Sequence, residues 1–211
     1  MGEDAEHRRY DSLLRTAQAD DTRDRIAAAA RALFVSRGWG STTVREVARQ
    51  AGVSVPTVYA VYGNKKGLAT ALMDAADLAA DPLRALAEAE AAAGDPRRQL
   101  QASVGFDRRL FERAGDVITL LRDAGRTEPE LSAASREGPR RGDQARLRIF
   151  SSWPAGTLRE GVDPHRAVDI YAAVCSIDAY TELTLERGWT PDQVQQWWTE
   201  ALTRELLAED G

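Results

Sequence analysis

The sequence is poor in cysteine and lysine, and it has no long apolar run. Its one cysteine, Cys175, cannot form an intramolecular disulfide, and no cysteine and histidine cluster has metal-ligand spacing. The longest apolar stretch, near Ala27 to Phe34, is interrupted by Arg31 and is far shorter than the roughly 20 residues that cross a bilayer. The charged N-terminus lacks the apolar core of a secretion signal. We therefore expect a reduced, cytoplasmic protein with no metal and no membrane partner.

Catalytic signatures are also missing from the sequence. It contains no glycine-rich phosphate loop and no nucleophile elbow, and neither His7 nor His165 lies beside a candidate nucleophile. We expect a protein that is not an enzyme and that uses no cofactor.

Charge is distributed unevenly along the chain. The segment from Thr22 to Leu68 carries a net charge of +6, whereas the whole chain carries -5, so the remainder carries -11. A cationic block on an acidic protein suits a polyanion such as DNA, because the remaining surface repels phosphate. The alternative from charge alone is a solvated helical surface.

Helix signals dominate the sequence, and strand-like alternation of β-branched residues is scarce. An N-capping side chain precedes proline at Asp81, Asp95, Asp163 and Thr190, as is typical of helix starts. The sequence predicts an all-α fold of about nine to ten helices. Beyond the first 80 residues, the predicted helices are 82–93, 96–114, 115–124, 128–150, 164–175, 177–187 and 191–207. A kink or a loop is expected near Gly138, which precedes a proline.

The first 80 residues contain the pattern of a helix-turn-helix. A first helix is predicted from about Thr22 to Arg37. Thr43 and Glu46 then form a capping box at the start of a second helix, which Gly52 ends. Ser54 caps a third short helix, Val55 to Val61, whose first turn tolerates proline. Two short helices joined by a glycine turn are typical of DNA-binding proteins.

Three segments closely resemble the DNA-binding domain of the TetR family: Thr42–Ala48 (TTVREVA), Ala51–Tyr59 (AGVSVPTVY) and Tyr62–Leu68 (YGNKKGL). The resemblance covers about Thr22 to Ala76 and implies a three-helix DNA-binding head with a linking fourth helix. It also implies a helical ligand-binding and dimerisation domain. The predicted division is 1–20 as a flexible arm, 21–80 as the DNA-binding domain with its fourth helix, and 81–211 as the effector-binding and dimerisation domain.

The leading end of the third helix is expected to read bases, because that end of a recognition helix enters the major groove. Val55 and Pro56 suit a thymine methyl group, and Arg45 is the local side chain able to hold a guanine bidentately. The TetR resemblance implies phosphate contacts for Thr43, Thr57, Tyr59 and Lys65. The full set of predicted DNA-binding residues is Thr42, Thr43, Arg45, Ser54, Val55, Pro56, Thr57, Tyr59, Tyr62 and Lys65.

Three of these assignments have structural alternatives. Tyr59 could pack in the domain core, Thr43 could serve only as a cap, and Arg45 could be a solvated arginine. Val61 departs from the family pattern, which often has histidine or an aromatic residue there, so no phosphate contact is assigned to it.

The last helices have apolar faces wider than one core contact requires. We therefore expect them to pair two subunits, as the TetR resemblance also implies, so that two recognition helices meet successive major grooves. The alternative is that this surface is intramolecular core. The predicted dimerisation residues are Ile170, Val174, Ile177, Tyr180, Val194, Trp197, Trp198, Ala201 and Leu202. The segment from Glu186 to Trp197 resembles the ends of actinobacterial-type TetR regulators.

An effector pocket is expected between the middle helices, lined by apolar residues with a few polar groups. Few charged residues lie among them, which favours a lipophilic effector. The predicted function is a repressor whose operator affinity changes when a small molecule binds. The alternative is a helical ligand-binding or interaction protein with a non-functional helix-turn-helix. The predicted lining residues are Phe106, Leu110, Phe111, Leu121, Phe150, Trp153, Tyr171 and Cys175.

Overall fold

The computed structural model describes residues 3–208, and within that range it contains ten α-helices and a π-helical turn but no strand longer than one bridge. The all-α prediction is confirmed. Across the same range no helix is both long enough and apolar enough to cross a membrane. The helices are α1 (Glu3–Arg37), α2 (Val44–Ala51), α3 (Val55–Tyr62), α4 (Lys65–Ala79), α5 (Pro82–Ala91), α6 (Pro96–Thr127), α7 (Pro129–Ser151), α8 (Pro164–Val174), α9 (Ile177–Thr181), the π turn (Glu182–Glu186) and α10 (Pro191–Leu206).

Helix α1 starts earlier than the sequence predicted. Its backbone is helical from residue 3, so the predicted start at Thr22 is wrong, and most of the segment 1–20, expected to be a flexible arm, has helical backbone. No glycine or proline interrupts the chain between residues 3 and 37. Exposed ion pairs one turn apart, such as Arg25 with Asp21, add modest support. Met1 and Gly2 lie outside the described residues.

Two long helices replace predicted breaks in the C-terminal half. Helix α6 runs unbroken through Gly115, so the predicted end of one helix at residue 114 is wrong. A Cβ at Gly115 would lie 3.1 Å from the side chain of Ile177, so this glycine allows close packing and does not end the helix. Helix α7 continues through Pro139, which excludes the loop that was one of two predictions there. A proline at this position costs one backbone hydrogen bond without ending the helix.

The N-terminal unit, Met1–Leu72, is built from α1, α2, α3 and the start of α4. Helix α1 packs on α2, and α2 packs on α3. The unit ends inside α4, whereas the sequence placed the domain boundary after residue 80. Its buried apolar side chains are Ile26, Ala29, Ala30, Leu33, Phe34, Trp39, Val47, Ala48, Ala51, Val58, Leu68, Ala69 and Leu72.

The C-terminal unit, Met73–Gly211, is organised around α6, which contacts α5, α7, α9 and α10. Three consecutive charged residues of α6 reach three different helices. Asp107 accepts from Arg146 of α7 at 2.6 Å, Arg109 donates to Glu88 of α5 at 2.9 Å, and Arg108 donates to a glutamine side chain of α10 at 3.0 Å. Both Asp107 and Arg109 are buried, so these contacts tie the helices together inside the unit.

Candidate functional site

The leading end of α3 has the geometry of a capped recognition helix. Ser54 is the N-cap, and its Oγ accepts a hydrogen bond from the backbone N–H of Thr57 at 3.2 Å. The two side-chain hydroxyls are 2.7 Å apart and hydrogen-bonded. Pro56 is exposed, and Val55 is half-buried beside it. The residues predicted to face a DNA groove from α3 therefore lie together at the exposed start of this helix.

Arg45 lies on the exposed side of α2, and its side chain makes no hydrogen bond or ion pair with a described residue. Arg49, one helical turn later on the same face, is likewise exposed without such a partner. Sequence reasoning missed Arg49, although its spacing of four residues from Arg45 was a visible signal. Two unpaired guanidinium groups on one helix face form a cationic strip with donors available to a polyanion.

The capping box predicted at α2 is present. The Thr43 hydroxyl accepts from the backbone N–H of Glu46 at 3.2 Å, and the Glu46 carboxylate accepts from the backbone N–H of Thr43 at 2.9 Å. Hydrogen bonds from the backbone and side chain of Thr43, with a smaller contribution from Arg37, hold the pKa of Glu46 below its ordinary value. The Thr43 hydroxyl also donates to the Glu46 carboxylate at 2.9 Å, so this exposed side chain is engaged in the cap.

Two predicted DNA contacts have structural roles instead. Thr42 is 1% exposed, and its hydroxyl lies within hydrogen-bond distance of the carbonyls of Leu33 (3.2 Å) and Gly38 (3.0 Å). Its prediction as a DNA contact is wrong, because the side chain is buried. The Tyr62 hydroxyl donates to the backbone carbonyl of Arg23 at 2.9 Å and so joins α3 to α1. Partial burial raises the pKa of Tyr62.

The two lysines at the start of α4 have different environments. The Lys65 ammonium donates to the carbonyl of Trp39 and lies 4.2 Å from the centroid of one of its rings and 5.8 Å from that of Phe34. One of the three N–H donors of Lys65 is therefore engaged within the protein, and its contact with a phosphate stays a prediction. Lys66 is exposed and has no partner among the described residues. Lys66 is thus a second cation at this helix start, one that the sequence analysis did not assign.

Tyr59 projects from α3 into solvent. Its side chain is 49% exposed, whereas the neighbouring Val58 is 1% exposed. The alternative that Tyr59 packs in the domain core is therefore wrong, and the core position belongs to Val58.

The structure brings together only part of the predicted effector site. Phe150, Trp153, Tyr171 and Cys175 belong to one buried cluster, and Phe111 packs against it. The remaining three residues are half-buried or buried at other positions of α6: Phe106, Leu110 and Leu121. A groove of about 480 Å³ between α6 and α10 has a different, polar lining, which consists of Gln101, Asp192, Gln195, Gln196, Thr199 and Glu200.

The buried cluster also adjoins charged groups that sequence reasoning missed. The guanidinium of Arg146, which pairs with buried Asp107, lies 4.4 Å from the ring centroid of Tyr171. The Tyr171 hydroxyl is fully buried and lies close to the Asp107 carboxylate and the Cys175 thiol. Burial, reinforced by the Asp107 carboxylate, raises the pKa of both Tyr171 and Cys175. Asp107 and Arg146 resemble ordinary surface charges in the sequence, so only the fold reveals their location.

Most predicted dimerisation residues are core of the same chain. Six of the nine are buried, which supports the intramolecular alternative for them: Ile177, Tyr180, Val194, Trp198, Ala201 and Leu202. Ile170 and Val174 are half-buried and pack against this core. Trp197 is 38% exposed and makes a T-shaped contact with Trp189, with ring centroids 6.2 Å apart.

The N-terminal unit matches known DNA-binding sequences. The family model described as "Bacterial regulatory proteins, tetR family" matches residues 26–72. Over 47 residues the chain is 43% identical to the HTH-type transcriptional regulator AlkX of Mycobacterium tuberculosis. That match covers 22% of this chain and 22% of the length of the curated relative.

Solved structures share the fold over most of the chain. NalD, the secondary repressor of the MexAB-OprM multidrug efflux pump in Pseudomonas aeruginosa, has a TM-score of 0.75 at 19% identity, covering 92% of this chain and 100% of NalD. A transcriptional regulator from Saccharomonospora viridis in complex with choline has a TM-score of 0.71 at 20% identity, covering 90% of this chain and 100% of the other.

These observations define the chain first as a helix-turn-helix protein, with an N-terminal DNA-binding unit and a helical C-terminal unit. Residues 26–72 then match the family described as bacterial regulatory proteins of the tetR type, and the chain as a whole shares the fold of solved regulators such as NalD.

Proposed function

We propose that this protein is a transcriptional repressor of the bacterial cytoplasm, which binds double-stranded operator DNA through α2, α3 and the start of α4. The observation that carries the proposal is that Arg45 and Arg49 on α2 and Lys66 just after α3 are exposed and make no hydrogen bond or ion pair with a described residue. An acidic protein with three such cations on the helices that flank a recognition helix has a surface suited to phosphates.

Some side chains of this surface are proposed to contact bases, and others are proposed to contact phosphates. Helix α3 offers no long hydrogen-bonding side chain at its leading end, so Val55 and Pro56 contact apolar base features such as the thymine methyl group. Arg45 supplies the bidentate donor for a guanine. Tyr59 offers an exposed hydroxyl to a phosphate oxygen, and Thr43 and Thr57 contact phosphates by exchanging their bonds to Glu46 and Ser54; such contacts fix the register of the protein on the duplex.

Fluorescence anisotropy with duplexes from the DNA flanking the protein's own gene tests this proposal. The wild-type chain should bind one duplex with an affinity that falls steeply as salt increases. The double variant Arg45→Ala/Arg49→Ala should bind at least tenfold more weakly. The control Arg140→Ala/Arg187→Ala removes the same charge from exposed positions of the C-terminal unit and should bind as the wild type does. Equal losses in both variants, or wild-type binding that ignores salt, would contradict the proposal.

The C-terminal unit is proposed to bind a small-molecule effector that lowers operator affinity. The support is the aromatic interior around Phe150, Trp153 and Tyr171, together with the fold shared with a regulator solved in complex with choline. The effector acts by its differential affinity for the DNA-binding and the non-binding conformations. A titration in which bound operator is released by an added small molecule tests this step.

The protein is further proposed to act as a homodimer, because two recognition helices reach successive major grooves of one operator. Exposed apolar side chains in the last third of the chain support a partner surface there. Leu185 is 80% exposed, and Trp197 is exposed beside Trp189.

Sedimentation velocity at micromolar concentration tests the dimer. Leu185→Glu should shift the protein towards monomer, because a charge in an apolar interface is desolvated without a partner. Leu83, which is 79% exposed elsewhere in the C-terminal unit, provides the matched control, and Leu83→Glu should leave the dimer intact. A monomeric wild type would contradict this part of the proposal.

A further inference from the structure

The cationic block of the N-terminal unit begins directly after two acidic residues. Asp20 and Asp21 precede Thr22 in the sequence, and both are exposed on α1. Each pairs with an arginine about one helical turn later: a carboxylate oxygen of Asp20 lies 3.4 Å from a guanidinium nitrogen of Arg23, and the same distance separates Asp21 from Arg25. The first two cations of the block therefore have acidic partners on their own helix.

Contacts within the N-terminal unit fix this part of α1 beside the helix-turn-helix. The Tyr62 hydroxyl, at the end of α3, donates to the backbone carbonyl of Arg23 at 2.9 Å. A second nitrogen of the Arg25 guanidinium donates to the carbonyl of Gly52 at 3.5 Å, in the turn between α2 and α3. Gly52 comes two residues before Ser54, the N-cap of α3. The Arg25 guanidinium thus lies beside the turn that leads into the recognition helix.

The two ion pairs are accessible to a competing anion. The four side chains are between 48% and 66% exposed. Such pairs are weak, because water and salt screen them and a long arginine side chain loses freedom when it is held in one position. DNA phosphates offer the same guanidinium groups another set of oxygens, and their neutralisation releases counterions. The arginines can therefore exchange a carboxylate for a phosphate, at the cost of the pair that is broken.

We propose that Arg23 and Arg25 form a further phosphate contact on α1, and that Asp20 and Asp21 weaken this contact by competing with the phosphates for the two guanidinium groups. The inference rests on the proposed DNA-binding function and adds to it an internal competitor that sets its strength. Because phosphate contacts carry no direct sequence information, the competitor lowers affinity for all duplexes, and stable binding then depends more on base contacts.

Asp24 provides an internal comparison for the two paired acids. It lies about one helical turn from both Asp20 and Asp21, it is exposed, and it makes no hydrogen bond or ion pair with a described residue. An acid that only repels phosphates would act equally from any of the three positions. An acid that occupies an arginine acts only from the two paired positions.

Fluorescence anisotropy of the full-length protein tests the proposal, with a duplex that the wild type binds and with a duplex of unrelated sequence. Asp20→Asn/Asp21→Asn should bind both duplexes about fivefold more tightly, because neither arginine has to leave a carboxylate. The control Asp24→Asn should change either affinity by less than about twofold. Both variants should keep the Tm of the wild type, because exposed pairs contribute little to stability.

A second set of variants shows whether the aspartates act through the arginines. Arg23→Gln/Arg25→Gln should bind more weakly than the wild type, with a salt slope smaller by up to about two. Adding Asp20→Asn/Asp21→Asn to this variant should give little further gain, because the competition requires the arginines. The proposal is overturned if the two aspartate substitutions do not tighten binding, if Asp24→Asn tightens it equally, or if the gain persists in full without the arginines.

Failure of the proposed function gives a different result from failure of this inference. Without the proposed function, the wild type binds neither duplex in a salt-dependent way. If only the inference fails, the wild type still binds, and Arg45→Ala/Arg49→Ala still weakens that binding.

Discussion

The two units of this protein place their charged side chains in opposite ways. In the N-terminal unit, Arg45, Arg49 and Lys66 face solvent and make no hydrogen bond or ion pair with a described residue. In the C-terminal unit, Asp107 and Arg109 are buried and paired with side chains of other helices. Outward charge is available to an external polyanion, whereas inward charge fixes the positions of neighbouring helices.

The difference also separates two kinds of energetic cost. A solvated arginine costs little and gains most when a phosphate arrives and counterions are released. A buried ion pair loses hydration on folding, and its attraction only roughly restores that loss. The pair of Asp107 with Arg146 is therefore better understood as a device that positions α6 and α7 than as a source of stability.

Breaking the inward pair should have the largest effect. Arg146→Met leaves the Asp107 carboxylate buried without its cation and should lower the free energy of unfolding by about 3–5 kcal/mol. Urea unfolding of the whole chain measures the change. Arg140, which pairs with Glu137 at the surface of the same helix, is the control, and Arg140→Met should cost at most about 1 kcal/mol. A double variant, Asp107→Leu/Arg146→Met, should recover much of the lost stability because it leaves no unpaired buried charge. If Arg146→Met and Arg140→Met lowered the free energy of unfolding equally, buried and exposed pairs would not differ as proposed.

The two lysines sharpen the comparison within the N-terminal unit. Lys66→Met removes a free cation and should weaken binding to all duplexes, with a salt slope smaller by about one. Lys65→Met removes the contacts with Trp39 and should lower the Tm, while changing the salt slope less. Anisotropy at several salt concentrations and thermal unfolding check both variants. The reverse pattern would identify Lys65 as the stronger phosphate contact.

A capping box occurs in each unit, which allows one substitution to be compared in both. Thr43→Ala and Thr190→Ala each remove a side-chain acceptor from a helix start and should cost about 1 kcal/mol of stability. We expect Thr43→Ala to weaken DNA binding as well, because its hydroxyl also faces the proposed phosphates. Operator affinity unchanged by Thr43→Ala would limit that residue to its capping role.

The smallest expected effect concerns alkaline pH. Burial, reinforced by Asp107, raises the pKa of Cys175 well above its ordinary value, so the folded thiol stays protonated while the unfolded thiol ionises. Its contribution to stability is complete below the unfolded pKa of about 8.5 and is lost as pH rises, by about 0.8 kcal/mol at pH 9. The measurement is the free energy of unfolding of the wild type and of Cys175→Val at pH 7 and at pH 9. The wild type should lose more stability than Cys175→Val between the two pH values. Equal losses would mean that the thiol is already ionised in the folded protein.

The N-terminal unit was far more predictable than the C-terminal unit because its signals are local. Thr43, Glu46, Gly52 and Ser54 act within a few residues of their own positions, and the structure has each cap where the sequence placed it. Errors arose where a side chain depends on distant partners. Thr42 has a hydroxyl suited to a phosphate, but its contacts with Leu33 and Gly38 depend on how the chain folds back.

By itself, the sequence determined the helical class, the capped helix starts and the helix-turn-helix, because capping groups, prolines and apolar periodicity act over one or two helical turns. Only the tertiary structure decided that Asp107 lies inside while Arg45 lies outside, and that the Tyr171 hydroxyl is buried beside Asp107. The physical reason is that burial and pairing depend on which helices meet in space, and a single helix does not encode its neighbours.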